Sequence, residues 1–156
     1  MDRIEELKRT YRTNRIIGGA VIGSIILFLV IVEIIKAKLK PFPGFASISN
    51  IQPLRLLFYG GAVLQIIFIR LLQPLLYKQA PSGDHKKLLM KLNTAALVTY
   101  FVAEVPAILG LILFLLCGLA RDFYIFLFLA LILELIYFPR AKNWEAWLQA
   151  KSGWTH

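Results

Sequence analysis

LNTAALVTYFVAEVPAILGLILFLLCG, residues 92–118, decides the fold class. From Leu92 to Cys117 it carries a single ionisable carboxylate, Glu104, and no basic residue. At 1.5 Å per residue a helix of that length reaches about 39 Å, enough to cross a hydrocarbon core about 30 Å thick. Three further apolar runs surround it. Working outward, they cover residues 123–138, 54–77 and 16–35, so the expected spans are 16–35, 54–77, 92–117 and 123–138. The whole chain has 156 residues, of which 58% are hydrophobic and 17% charged. Globular chains average about 45 to 50% apolar, so this is the composition of a membrane protein. The segments between the runs are too short to bury a core of their own, and one membrane domain over residues 1–156 is expected. The expected fold is all-α and polytopic, with four transmembrane helices and a short interfacial helix at each terminus. The fourth run is short, which predicts little tilt or a locally thinned bilayer.

Charge reads as topology. Eighteen Lys and Arg against nine Asp and Glu leave a formal +9, and the basic residues flank the apolar runs. A nucleic-acid partner is not expected, because no basic patch with interleaved aromatics lies outside those flanking positions. With four spans, twelve basic residues fall on the side of the termini, in 1–15, 78–91 and 140–151. Five fall on the other: Lys36, Lys38, Lys40, Arg55 and Arg121. The positive-inside rule then predicts cytoplasmic termini in a prokaryotic plasma membrane. A first run of about 20 residues, followed by lysines and prolines, exceeds a cleavable signal's apolar region of roughly 7 to 15 and is expected to be retained.

Both flanks suit the membrane surface. Ile4, Leu7 and Tyr11 share one helical face between charged residues 5, 6, 8, 9 and 12. In residues 139–156, Trp144, Trp147 and Leu148 recur at helical spacing beside Arg140 and Lys142, which predicts an aromatic anchor at the headgroups or a docking face. The single Cys117 cannot form an internal disulfide and reads as a small core hydrophobe.

Polar groups inside hydrocarbon are costly, so the informative ones are few: Gln65, Arg70 and Gln73 in the second span, Glu104 in the third, Glu33 and Glu134 in the first and fourth. Glu33 is one turn from Lys36 and is expected to pair with it. Arg70 and Glu134 both fall in the cytoplasmic half and are placed to pair, with Gln73 on the same polar seam. Glu104 lies just past the midplane and is the main candidate site, because burial there penalises the charged form. Tyr100 precedes it by one turn, offering a hydroxyl. Pro106 lacks an N–H and frees a carbonyl a turn earlier. Ala103, Ala107 and Gly110 form a small-residue stripe for close helix approach, and Gly19 and Gly23 form a GxxxG pair, within one molecule or between copies.

From Lys87 to Gly118 the chain resembles the carboxyl-bearing second helix of a rotary ATPase c subunit, or proteolipid. A basic loop leads into a span with one mid-membrane carboxyl followed by small residues at Ala103, Ala107 and Gly110. The resemblance implies that Glu104 is the ion-binding carboxyl, with Gln65 on the preceding span as hydrogen-bonding or ligand partner. The second span departs from the family in lacking dense, regularly spaced glycine, and the short Arg-Gln-Pro type loop is not present.

An enzyme is not expected. His85 and His156 lie outside the spans, and no nucleophile motif, phosphate loop, metal-ligand cluster or cofactor motif is present. Two functions fit the residues: a proton- or cation-responsive subunit working through Glu104, or a structural or assembly component in which the same polar groups fix packing. Beyond the lipid bilayer, the partners expected are further copies of the chain or another component of a membrane complex.

Overall fold

A computed structural model of the chain describes residues 3–46, 48, 50–78, 85–138 and 144. Four helices follow one another: α1, Arg3–Lys38; α2, Gln52–Lys78; α3, His85–Cys117; and α4, Ala120–Tyr137. Among the described residues there is no strand. Three helical stretches, Glu5–Lys38, Gln52–Leu72 and Lys87–Cys117, are long and apolar enough to cross a membrane. α4 has 18 residues and carries Arg121, Asp122 and Glu134.

The N-terminal flank is not the separate interfacial helix that its amphipathic pattern suggested. No proline interrupts Arg3–Lys38, so one helix of 36 residues, about 54 Å long, absorbs the flank and the first span together. Its first turns are held by packing. Leu7 is buried in a cluster with Leu88, Leu89 and Leu92 of α3 and with Trp144.

α3 is the hub. Its Ala103, Ala107 and Leu113 are fully buried, and it packs against each of the other three helices. α1 runs parallel to α3, since Asn14 bonds Asn93 and Ser24 bonds Glu104 in ascending order. α2 and α4 run antiparallel to it. Gln65 meets Val102 while Gly61 faces Leu109, and Phe126 abuts Gly110. α1 also packs on α4, so α1, α3 and α4 enclose an interior, and α2 lies on the other side of the α3–α4 pair, with Ala62 and Ile69 packed with Phe126 and Leu133. The free face of α2 is apolar and exposed, with Leu56, Leu57, Leu64, Phe68 and Leu71 all more than half exposed.

The small-residue stripe works between α3 and α4. A Cβ on Gly110 would lie 2.6 Å from Cβ of Phe126 and 3.3 Å from the Phe123 backbone, so only glycine permits this approach. Gly19 and Gly23 behave differently. Both are exposed on α1, with open space where a Cβ would be, and make no contact within the chain.

The α1–α2 connection closes one end. The amides of Phe45 and Ala46 donate to the carbonyls of Leu115 and Leu116 at 2.8 and 3.1 Å, satisfying acceptors that the end of α3 leaves open. Gly118, at φ +68°, turns the chain from α3 into α4 so close to Phe42 that a Cβ would meet its carbonyl oxygen at 2.3 Å. The left-handed conformation and the contact both require glycine there.

Candidate functional site

Four polar side chains fall at one depth. Ser24 is fourteen residues from Lys38, Gln65 thirteen from Gln52, Glu104 thirteen from Cys117 and Glu134 fourteen from Ala120. All four helix ends lie at the same end of the bundle, so each residue sits about 20 Å from it. Helix rise alone thus gathers these groups into one layer near the middle of the molecule.

Within that layer, three helices build one site. Glu134 of α4 is fully buried at the depth of Glu104 on α3, and the turns that carry the two pack together through Leu133 and Ala103. Neither oxygen of Glu134 has a hydrogen-bond partner among the described residues. Ser24 of α1 completes the group, its hydroxyl in contact with Oε1 of Glu104. That hydroxyl also lies 2.7 Å from the carbonyl of Val21. A hydroxyl has one proton and can accept as well as donate. Ser24 can therefore donate to an ionised Glu104, or donate to Val21 while accepting from a protonated one. Both states of the carboxyl find a partner without any backbone movement.

Gln65 of α2 meets α3 one turn from the Glu104 group, at the backbone. Its Nε2 donates to the carbonyl of Val102. That is the acceptor left open by Pro106, which has no N–H to return four residues back. A neighbouring helix thereby repairs the gap, since an unsatisfied carbonyl in an apolar interior is costly.

The expected pair between Arg70 and Glu134 does not form. Arg70 is exposed on α2, and Glu134 faces Glu104 inside the three-helix interior. The reason is rotation about the helix axis: α2 packs on α3 and on the Phe126 and Leu133 face of α4 through Ala62 and Ile69, with Arg70 turned out of that contact. Gln73 lies in α2, with its side chain outside the described residues. Tyr100 is fully buried one turn before Glu104, and its ring lies against Gly18, whose Cβ would fall 3.2 Å from Cζ. Trp144 is buried edge-on against Tyr11, at 6.0 Å and 77°, so it packs on α1. Trp147 lies outside the described residues.

Two polar clusters lie near the connected ends, the first of them not singled out by sequence. Arg55 and Tyr59 of α2 both donate to Oδ1 of Asp122, each at 2.8 Å. Asp122 is almost wholly buried in the first turn of α4, where a carboxylate also suits the helix dipole. Glu33 pairs with Lys36 at 3.1 Å as expected, and Tyr124 of α4 joins them by donating to Glu33. A third pair, Asn14 and Asn93, lies towards the opposite end, with Nδ2 of Asn14 donating to Oδ1 of Asn93 at 2.7 Å. Polar residues at 14, 24, 93 and 104 step along the shared face of two parallel helices, a pattern visible in sequence only once α1 is known to lie on α3.

Comparison with protein families, curated proteins and solved structures finds no match for this chain.

Proposed function

We propose that this chain is an integral membrane protein whose four helices all cross the bilayer, and that Glu104, Glu134 and Ser24 form a proton- or cation-responsive site inside it. The apolar outer faces of α2 and α4 suit lipid, and α4 crosses a thinned hydrocarbon layer with Asp122 held by Arg55 at its end. The distribution of basic residues supports termini in the cytoplasm of a prokaryotic cell. The function is non-enzymatic.

One observation carries the reading: a fully buried carboxyl, Glu134, lies at the depth of a second carboxyl, Glu104, on a packed neighbouring turn, with a hydroxyl able to serve either protonation state of the latter. Two carboxylates in a dry site repel, and the repulsion is relieved when a proton or cation is taken up. The likeness of residues 87–118 to a rotary ATPase c subunit assigns the same role to Glu104. Here, however, α1 and α4 both pack on α3, and a hydroxyl from α1, that of Ser24, meets this carboxyl within the same chain.

The second reading is a structural or assembly component, favoured by the Gln65 contact with Val102 and by the outward-facing Gly19 and Gly23, which suit a further copy or a complex partner. Labelling with a hydrophobic carbodiimide, which modifies protonated carboxyls in apolar surroundings, separates the two. The responsive site predicts modification of Glu104 or Glu134 that fades as pH rises or sodium is added. No modification of folded protein at any pH would sink that reading and leave the structural one.

A further inference from the structure

The surroundings of the carboxyl pair are not symmetric along the helix axes. Towards the connected end, residues 25–32 of α1, 105–116 of α3 and 125–133 of α4 contain no polar side chain at all. Ile25, Val32, Phe114, Phe123 and Leu127 fill the space between the helices in one buried cluster. At helix rise the shortest of these stretches makes a dry layer about 12 Å thick. No hydrogen-bonding group bridges it before Tyr124 and Lys36.

Towards the end at which α1 begins, polar side chains punctuate the buried apolar cluster of Leu7, Val21, Leu88, Leu92 and Ala96 that fills the seam between α1 and α3. Tyr100, a turn before Glu104, lays its ring on Gly18, whose Cβ would lie 3.4 Å from the hydroxyl oxygen. One turn further along α1 is Asn14, fully buried, with Oδ1 lacking a hydrogen-bond partner among the described residues and Nδ2 bonded to Asn93. Asn93 in turn lines a cleft of about 320 Å³ together with Glu6, Arg9, Thr10 and Thr13. A buried amide oxygen of this kind is normally satisfied by water.

Resting on the reading of Glu104 and Glu134 as a protonatable pair, we infer that the pair exchanges protons with one face of the membrane only, the face at which α1 begins, by way of Tyr100, Asn14, Asn93 and the cleft. The proton taken up resides on the carboxyl pair and leaves to water at the same face. The polar groups around the pair are Ser24 from α1, Tyr100 from α3 itself and, behind α3, Gln65 of α2 on the Val102 carbonyl. Arg70 of α2 is exposed, and α4 adds Glu134 and, one turn on, Tyr137, packed with Ala103 and Leu133.

The test uses the full chain in liposomes whose orientation is set by protease protection of the N-terminus. Dicyclohexylcarbodiimide is added while pH is stepped from alkaline to mildly acidic on one face at a time, and modified peptides are quantified by mass spectrometry. Acidifying the N-terminal face should raise modification of the pair several-fold, and acidifying the other face should not. Modification that follows the other face, or both, overturns the sidedness while leaving the responsive pair intact. A pair that responds to neither face overturns both readings. As a second measurement, Asn93→Leu should slow the rise several-fold at unchanged final extent; an unchanged rate in folded variant protein overturns the route through Asn93.

Discussion

Gln65 on α2 donates its side-chain amide to the backbone carbonyl of Val102 on α3, the acceptor that Pro106 leaves open. A helix defect and the residue that repairs it are thus 37 positions apart. In an apolar interior an unsatisfied carbonyl is costly, so the pair ties α2 to α3 at mid-depth.

Gln65→Leu should therefore lower the stability of the protein by about 1 kcal/mol, the usual net worth of such a bond. Pro106→Ala restores the backbone donor. In that background Gln65→Leu should cost much less, and a double-mutant cycle from denaturation midpoints in detergent reads the difference. Equal costs in both backgrounds would show that Gln65 serves something other than Val102.

Gly110 and Gly19 should respond in opposite directions to the same substitution. Gly110→Ala drives a Cβ into Phe126 and the Phe123 backbone, forces α3 and α4 apart, and should cost about 1–3 kcal/mol. Gly19→Ala meets open space in a helix and should be neutral or stabilising by up to about 1 kcal/mol. Thermal unfolding of the two variants in the same detergent checks the contrast.

Asp122 joins α4 to α2 through two donors at once. Asp122→Ala leaves Arg55 and Tyr59 without their shared acceptor and should destabilise the protein by about 1–3 kcal/mol. Faster hydrogen exchange in the first turns of α2 than in α3 would locate the damage. Uniform exchange throughout the bundle would contradict a local tie.

Glu104→Gln keeps the size of the side chain and can still bond Ser24, while removing one of two carboxyls on packed turns. Its unfolding midpoint should match or exceed the parent's, and modification of Glu134 by carbodiimide should stay pH-dependent but over a pH range displaced from the parent's. A variant that fails to fold would favour a purely structural Glu104. Glu134→Leu provides the counterpart: replacing a buried carboxyl without a hydrogen-bond partner by an apolar group should raise the midpoint.

Much of the helical content was legible because hydrocarbon-length apolar runs admit few other solutions. α2 and α3 fall close to residues 54–77 and 92–117, and Pro106 announced an open carbonyl. The boundary of α1 was less legible. An amphipathic stretch next to an apolar one reads as two elements, and only the burial of Leu7 against α3 shows one rod running through both. The pairing of Glu33 with Lys36 is local, one turn apart, and needs no tertiary information.

Sequence alone determined that these residues form long helices, which side chains are too polar to sit there without a partner, and at what depth each lies, because helix rise and hydrophobic length are properties of the chain itself. Partners were another matter. Depth places Arg70, Glu134, Gln65 and Glu104 near one another on paper, but it says nothing about rotation around an axis or about which helix is whose neighbour. Gly110 packing on Phe126 and the polar contacts between α1 and α3 set those rotations. Tertiary structure therefore turned Arg70 outward, gave Gln65 to Val102, and set Glu134 against Glu104 beside Ser24.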